Sequence, residues 1–259
     1  MGGVDTAGTD RAIQGVPSGV RRDSLPQPMS SPLVHEAVIR LLRDEPPGRI
    51  LDVPSGEGAL ARDLIAMGHE VVCGDIEPSV FKLSDLPCHY LDLNKDLPFP
   101  AESFDLVVCV EGIEHIENPH HLIREVRRVL KSDGKVVLTT PNVLSLKSRM
   151  HALRLGYPIH FDLMVRREQS VAGEWIVKHL NPISFPELRY LLEEHRLRII
   201  DLDVNKLERK HSFFYLLLEP LLVKKRVKGD SPAETSVRAI LNSRKLLFGE
   251  ILIVKAQKG

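Results

Sequence analysis

The chain is short of cysteine, of aromatic residues and of long apolar runs. Its three cysteines, Cys73, Cys88 and Cys109, stand at no metal-like spacing. An odd number of thiols in or beside apolar segments argues against a disulfide framework and for a reducing compartment. No apolar run reaches the roughly 18 residues of a membrane span, and a signal-peptide core is missing, so the sequence predicts a cytoplasmic protein. Neither sign of charge is in excess: Lys+Arg and Asp+Glu stand at 35 each. No global field therefore draws in nucleic acid or an anionic membrane. The basic, aromatic-interleaved surface that RNA binding calls for is also missing. What remains is ordinary for a globular protein: 259 residues, 43% hydrophobic and 27% charged, enough for one domain with a proper core.

The informative stretch is Arg49 to Ala66, RILDVPSGEGALARDLIA. Ile50, Leu51 and Val53 form a short apolar run, Pro54 to Gly58 a tight loop, and Ala59-Leu60-Ala61 with Leu64-Ile65 a helical period. A buried strand, a glycine loop and a helix N-terminus make a nucleotide cradle. Gly56 and Gly58 let the backbone turn sharply and approach a ligand closely. Gly56-x-Gly58-x-x-Ala61, with Asp75 about twenty residues on, also satisfies the loose dinucleotide pattern. The mouth of the cradle is acidic, however: Asp52, Glu57, Asp75, Glu111 and Glu114 surround it. Carboxylates repel a pyrophosphate. They suit a ligand with cationic groups and no phosphate, such as S-adenosylmethionine with its sulfonium and ammonium.

Residues 1–30, rich in Gly, Ser, Pro, Asp and Arg, read as a mobile tail. Residues 31–259 read as one domain. Ser31-Pro32 is a helix start, and the apolar spacing from Leu33 to Leu42 holds until Pro46-Pro47-Gly48. Strands are predicted at Glu70–Asp75, His89–Leu93, Phe104–Val110, Lys135–Thr140, Leu197–Val204 and Gly249–Lys255. A short helix or turn is predicted over Pro78–Leu83. Asn118-Pro119 caps a helix that stops near Lys131–Gly134, with Gly134 suited to the position after a helix end. Ser145 to Leu155 reads as a basic helix, and Ser184 with Glu187 as a capping box. Alternating units of strand and helix mean a doubly wound, mainly parallel α/β sheet of seven strands, Rossmann-like, with the ligand at the strands' carboxyl ends. Insertions at about 141–183 and 208–247 fall on the acceptor side.

Several ordered motifs carry a resemblance. They are Leu51-Asp52-Val53-Pro54-Ser55-Gly56-Glu57-Gly58, Gly74-Asp75-Ile76, Tyr90-Leu91-Asp92-Leu93, Leu97-Pro98-Phe99 followed by Ser103 to Val108, Glu111 to Ile116, and Arg128-Val129-Leu130-Lys131-x-x-Gly134. Together they resemble the class I S-adenosylmethionine-dependent methyltransferases, in the branch similar to the ubiquinone-biosynthesis O-methyltransferases. The resemblance implies that Asp52, Ser55, Gly56 and Gly58 hold the methionine moiety and that Asp75 takes the ribose hydroxyls. It also implies that Ile76 packs on the adenine, that Asp92 and the Leu93 N–H bond its edge, and that Glu111 lies near the sulfonium. Pro54 and Ser55 depart from the usual glycine and cysteine of the first motif. Proline removes an N–H and fixes φ near about −65°.

For methyl transfer to oxygen, a base near neutral pKa helps, and His115 is the assigned candidate, ahead of His160 and His179. Glu111, Glu114 and His115 with His179 also have the composition of a cation site, resembling the small-RNA 3′-end methyltransferases. The competing reading is a short helical turn common in metal-free relatives, and no metal is assigned. Residues 213–228, apolar then basic, fit either core packing or a peripheral membrane contact. The leading function is methyl transfer from S-adenosylmethionine to a small-molecule acceptor through oxygen. The alternatives are a divalent-metal-assisted RNA 3′-end 2′-O-methyltransferase and a non-catalytic donor-binding partner protein.

Overall fold

Adjacent residues of a strand point to opposite faces, and in this chain both faces are apolar. In β1 (Arg49–Asp52) Ile50 belongs to the same core cluster as Val34, Val38, Leu60 and Leu64, whereas Leu51 belongs to the one that holds Leu122, Val126, Leu188 and Leu192. A sheet apolar on both sides must be covered on both sides, and helices do so here. The computed structural model describes residues 25–161, 167–169, 175–177, 179–207 and 231–259. Helices α1 (Pro32–Leu42) and α2 (Ala59–Ala66) contribute to the first cluster, and α3 (Pro119–Val129) and α5 (Phe185–Glu194) to the second. Among the described residues the remaining α-helices are α4 (Leu146–Leu155), α6 (Pro232–Leu241) and α7 (Arg244–Phe248).

The main sheet has seven strands. The others are β2 (Glu70–Asp75), β3 (Cys88–Tyr90), β4 (Phe104–Cys109), β5 (Leu130–Pro141), β8 (Leu197–Val204) and β9 (Ile251–Lys258). Their order is β3-β2-β1-β4-β5-β9-β8. Strand β1 runs parallel to β2 and β4, with Leu51 beside Val72 and Val107. Strand β9 enters antiparallel between β5 and β8. The order reverses direction at β1, so the carboxyl ends of β1, β2 and β4 open a crevice there. The doubly wound, seven-stranded architecture is therefore as the sequence predicts.

Four local expectations need correction. Strand β3 ends at Tyr90 rather than Leu93 because Asp92 begins a turn: its Oδ1 accepts the Asn94 N–H at 2.9 Å and its carbonyl accepts the Lys95 N–H at 2.9 Å. Gly134 does not follow a helix end, since Leu130 is already extended and belongs to β5. The left-handed residue there is Asp133, with φ of 62°, and a Cβ on Gly134 would stand 2.8 Å from the Lys131 carbonyl. Ser31 occupies the N-cap position of α1, but its side chain makes no capping bond. Residues 27–30, read from the sequence as part of a mobile tail, are packed. They lie against the crevice, where the Gln27 N–H donates to Glu57 Oε2 at 2.8 Å.

Other local readings hold. Asn118 and Ser145 cap α3 and α4, and Ser184 and Glu187 form a reciprocal capping box on α5. The irregular arm contains a short antiparallel pair, β6 (Arg167–Gln169) with β7 (Trp175–Val177), that no sequence period announces. The apolar-basic segment 213–228 lies outside the described residues. Among the described residues, no helix is long and apolar enough to cross a membrane.

Candidate donor-binding cleft

A cavity of about 550 Å³ opens at the carboxyl ends of β1, β2 and β4. Asp52 closes β1 and lines this cavity, yet it is almost fully buried and neither carboxylate oxygen has a hydrogen-bond partner among the described residues. Burial, with the Asp75 charge adding to it, pushes the Asp52 carboxyl up from its ordinary 3.8 to about 8. A buried carboxylate without a partner is costly, so the position is one that calls for a cationic ligand group.

The loop after β1 is built to present backbone. Ser55 Oγ donates to the Asp52 carbonyl at 2.6 Å and accepts the Gly74 N–H at 2.9 Å, while the Ser55 N–H donates to the Gly74 carbonyl at 2.9 Å. The hydroxyl is thus engaged in tying β1 to β2, and Ser55 shapes the loop rather than offering its side chain to a ligand. Gly56, at φ of 51°, donates its N–H to Asp75 Oδ2 at 2.8 Å. Pro54 follows a cis peptide bond from Val53. Gly58, at φ of 90°, is the N-cap of α2 but does not line the cavity. A Cβ there would stand 2.7 Å from Phe81 Cε2, so that glycine serves packing beneath the loop.

Asp75 closes β2 and is buried, its Oδ1 accepting the Glu77 N–H at 2.9 Å. Each of its oxygens therefore holds one backbone N–H and keeps a further lone pair. Ile76 is 46% exposed and lines the cavity, as a side chain that covers a flat ring should. Asp92 and the buried Leu93 line the same end, with Asp92 Oδ2 3.5 Å from Lys95 Nζ.

Glu111 follows β4 at φ of 48°, a left-handed conformation that is uncommon outside glycine. Its N–H donates to Thr139 Oγ1 at 2.9 Å, and its carboxyl lies against the cavity. Burial, with the Glu250 charge, raises that carboxyl from 4.5 to about 6. His115 ends a one-turn helix, Ile113–His115, and lines the cavity too. Every residue assigned from the sequence except Gly58 thus reaches one cleft.

Sequence reasoning missed Gln27, Met29 and His35, which also line the cavity. Met29 is close enough to Gly56 that a Cβ on the glycine would stand 2.9 Å from the sulfur. Only the change from Ser/Gly-rich composition to Leu25-Pro26-Gln27-Pro28-Met29 hints at this segment. Glu57 proves to be occupied: it binds Lys82 Nζ at 2.7 Å and the Gln27 N–H.

The seven-stranded, doubly wound sheet, with carboxylates ending its first two strands, is a Rossmann-like fold. Residues 51–138 match the family described as a methyltransferase domain. Over 105 residues the chain is 32% identical to a ubiquinone biosynthesis O-methyltransferase of Xanthomonas oryzae pv. oryzae (strain PXO99A), covering 36% of this chain and 43% of the relative. Over 112 residues it is 34% identical to the protein of the same name from Xanthomonas axonopodis pv. citri (strain 306), covering 39% and 46%. The chain thus spans less than half the length of the curated relatives it matches. The fold is shared with a SAM dependent methyltransferase from Archaeoglobus fulgidus, at a TM-score of 0.53, 18% identity and coverage of 86% and 94%. An S-adenosylmethionine dependent methyltransferase from Mesorhizobium loti is similar at a TM-score of 0.53, 17% identity and coverage of 87% and 98%.

Proposed function

We propose that the protein transfers a methyl group from S-adenosylmethionine to an oxygen of a small-molecule acceptor. The observation that carries this reading is the buried, unpaired Asp52 beside Asp75 at the floor of the cleft. A carboxylate so placed fits an ammonium, and the second carboxylate fits a pair of ribose hydroxyls; a pyrophosphate meets only repulsion there. The residues present therefore fit the donor. Asp52 and the Gly56 loop hold its methionine end, Asp75 its ribose, and Ile76, Asp92 and Leu93 its base. When bound, the donor supplies an electrophilic methyl carbon on a sulfonium.

The protein's own contribution is alignment and dryness. The cleft walls of Val53, Leu60, Leu91, Leu93 and Ile116 exclude water. Glu111, His115, Glu117 and His179 are titratable groups that line the same cleft beyond the donor-binding carboxylates, and His115 is assigned the acceptor's proton. The partial match to the ubiquinone biosynthesis O-methyltransferases supports the choice of oxygen.

Calorimetric titration with S-adenosylhomocysteine, run beside NAD, tests the reading. We expect micromolar binding of S-adenosylhomocysteine, weakened at least about tenfold in Asp75→Ala, the loss of a charge-assisted hydrogen bond. NAD binding without S-adenosylhomocysteine binding would sink it.

A further inference from the structure

We infer that Asn94 is a positioning residue for the methyl donor: it aims the Asp92 carboxylate at the donor's adenine amino group by bracing it against the turn after β4. The inference rests on the methyl-transfer reading of the cleft. Asp92, Leu93, Asn94 and Glu117 all line the cavity. Strand β3 is three residues long and stands at the edge of the sheet. Past Tyr90 the Leu91 N–H still bonds to the Asp75 carbonyl at 2.9 Å, and then the chain leaves the sheet. Asp92 therefore needs a brace from outside the sheet to hold one direction.

The chemistry of the contacts fixes how the Asn94 amide is turned. Its Oδ1 lies 2.7 Å from the Glu117 backbone nitrogen. A backbone N–H only donates, so the amide presents its oxygen there and turns its nitrogen toward Asp92, where Nδ2 donates to Oδ1 at 3.2 Å. The Asn94 backbone N–H donates to the same oxygen at 2.9 Å. One residue thus supplies two hydrogens to Asp92 Oδ1. Glu117 lies just beyond the one-turn helix Ile113–His115, in a part of the chain that β2 and β1 separate from β3 in the sheet. Through this amide the loop after the edge strand is anchored to the inner part of the fold.

Asp92 Oδ2 is left for a ligand. Its neighbour is the Lys95 ammonium at 3.5 Å, on a side chain that is exposed while that of Asp92 is mostly buried. An ion pair to an exposed lysine is screened by water and adds little. A donor base in the cleft displaces that water. A carboxylate, which only accepts, then suits the adenine amino group, which only donates. Asn94 acts through Asp92 and need not touch the donor itself.

The test is calorimetric titration of the whole protein with S-adenosylhomocysteine and with its deamino analogue, in which hydrogen replaces the adenine amino group. We expect the parent to favour S-adenosylhomocysteine at least about tenfold, the worth of one hydrogen bond to a charged acceptor. Asn94→Asp keeps an oxygen for the Glu117 N–H but cannot donate to Asp92 from its side chain, whereas Asn94→Ala removes both side-chain bonds. Each should bring the preference to within about threefold of unity, by weakening S-adenosylhomocysteine and leaving the analogue nearly unchanged. In an Asp92→Ala background, Asn94→Ala should change S-adenosylhomocysteine binding by less than about twofold, because two residues that act as one unit are not additive. A merely structural Asn94 weakens both ligands alike and adds its loss to that of Asp92→Ala. A preference kept in either variant, equal weakening of the two ligands, or additivity overturns the proposal. Thermal melts by circular dichroism certify each variant as folded, and the isosteric Asn94→Asp carries the test where Asn94→Ala does not fold. A parent that binds neither ligand brings down the methyl-transfer reading and this inference with it. A parent that binds both equally brings down the Asn94 and Asp92 assignment alone.

Discussion

Asp52→Asn should stabilise the ligand-free protein while crippling its donor site. Burial lifts the Asp52 carboxyl from 3.8 to about 8, with the Asp75 charge adding to the shift. A carboxyl whose folded pKa lies above its unfolded value holds protons more tightly when folded. Stability is therefore lost as pH rises from about 4 to about 8, and the loss levels off above that window. At 1.36 kcal/mol per unit the full penalty is roughly 5–6 kcal/mol, of which about 4 kcal/mol is present at pH 7. Asparagine cannot ionise, but its buried amide costs about 1–3 kcal/mol where hydrogen bonds are missing. The net gain at pH 7 is thus about 1–3 kcal/mol, or several degrees in Tm at roughly 2–4 °C per kcal/mol for a domain of this size. At pH 4 the ionisation penalty is nearly gone while the amide cost remains, so Asp52→Asn should melt below the parent by about 1–3 kcal/mol. Calorimetric melts of both proteins between pH 4 and 9, without ligand, give the comparison, and S-adenosylhomocysteine affinity should fall at least about tenfold. If Asp52→Asn melts below the parent at pH 8, or if the gap does not widen with pH, the reasoning about this carboxylate is wrong.

Two further expectations concern the supports of the cleft. In Gly74→Ala the new Cβ would stand 2.0 Å from Leu91 Cδ1 at the end of β2. Overpacking of that kind costs about 1–3 kcal/mol, read as a lower urea midpoint with an unchanged slope. In Arg128→Ala the clamp to Glu125 (2.7 and 2.8 Å) and to the Leu97 and Phe99 carbonyls (2.8 and 2.7 Å) is lost. The half-exposed guanidinium discounts the ion pair, but the nearly buried Glu125 is left with an unmatched charge. A loss of about 2–3 kcal/mol in equilibrium unfolding is expected, with donor affinity little changed.

The layered fold was legible because strand periods and caps are local chemistry. Ile50, Leu51 and Val53, the Ser184–Glu187 box and the Asn118-Pro119 start each carry their own signal within a few residues. The acidic mouth was legible for a similar reason: Asp52 and Asp75 end apolar strands, and strand ends in such a sheet face the crevice. Three things were hidden. Gly58 sits in the same motif as Gly56, and only the position of Phe81 shows that it serves packing rather than the cleft. Gln27 and Met29 lie in a segment whose composition resembles a tail, and their order comes from the Glu57 contact and the cleft wall. Glu114 and His179 were grouped from the sequence by residue type and resemblance alone; the bonds from Leu180 and Asn181 that unite them are backbone bonds with no side-chain signature. Long-range backbone pairing is the part of a structure that a single sequence conceals best.

Strand β9 has a consequence for how the protein is made. It lies between β5 and β8, both of which leave the ribosome before it does. Until residues 251–258 emerge, β8 has no neighbour in the main sheet, and one long side of β5 stays open along its whole pairing length. Unpaired strand sides invite pairing with other chains. The nascent protein therefore passes through a period in which its donor cleft is nearly complete but its sheet is split. A chain cut before Ile251 should persist in that state, binding chaperones rather than folding. The parts that carry the chemistry come early, and the strand that locks them into one sheet comes late.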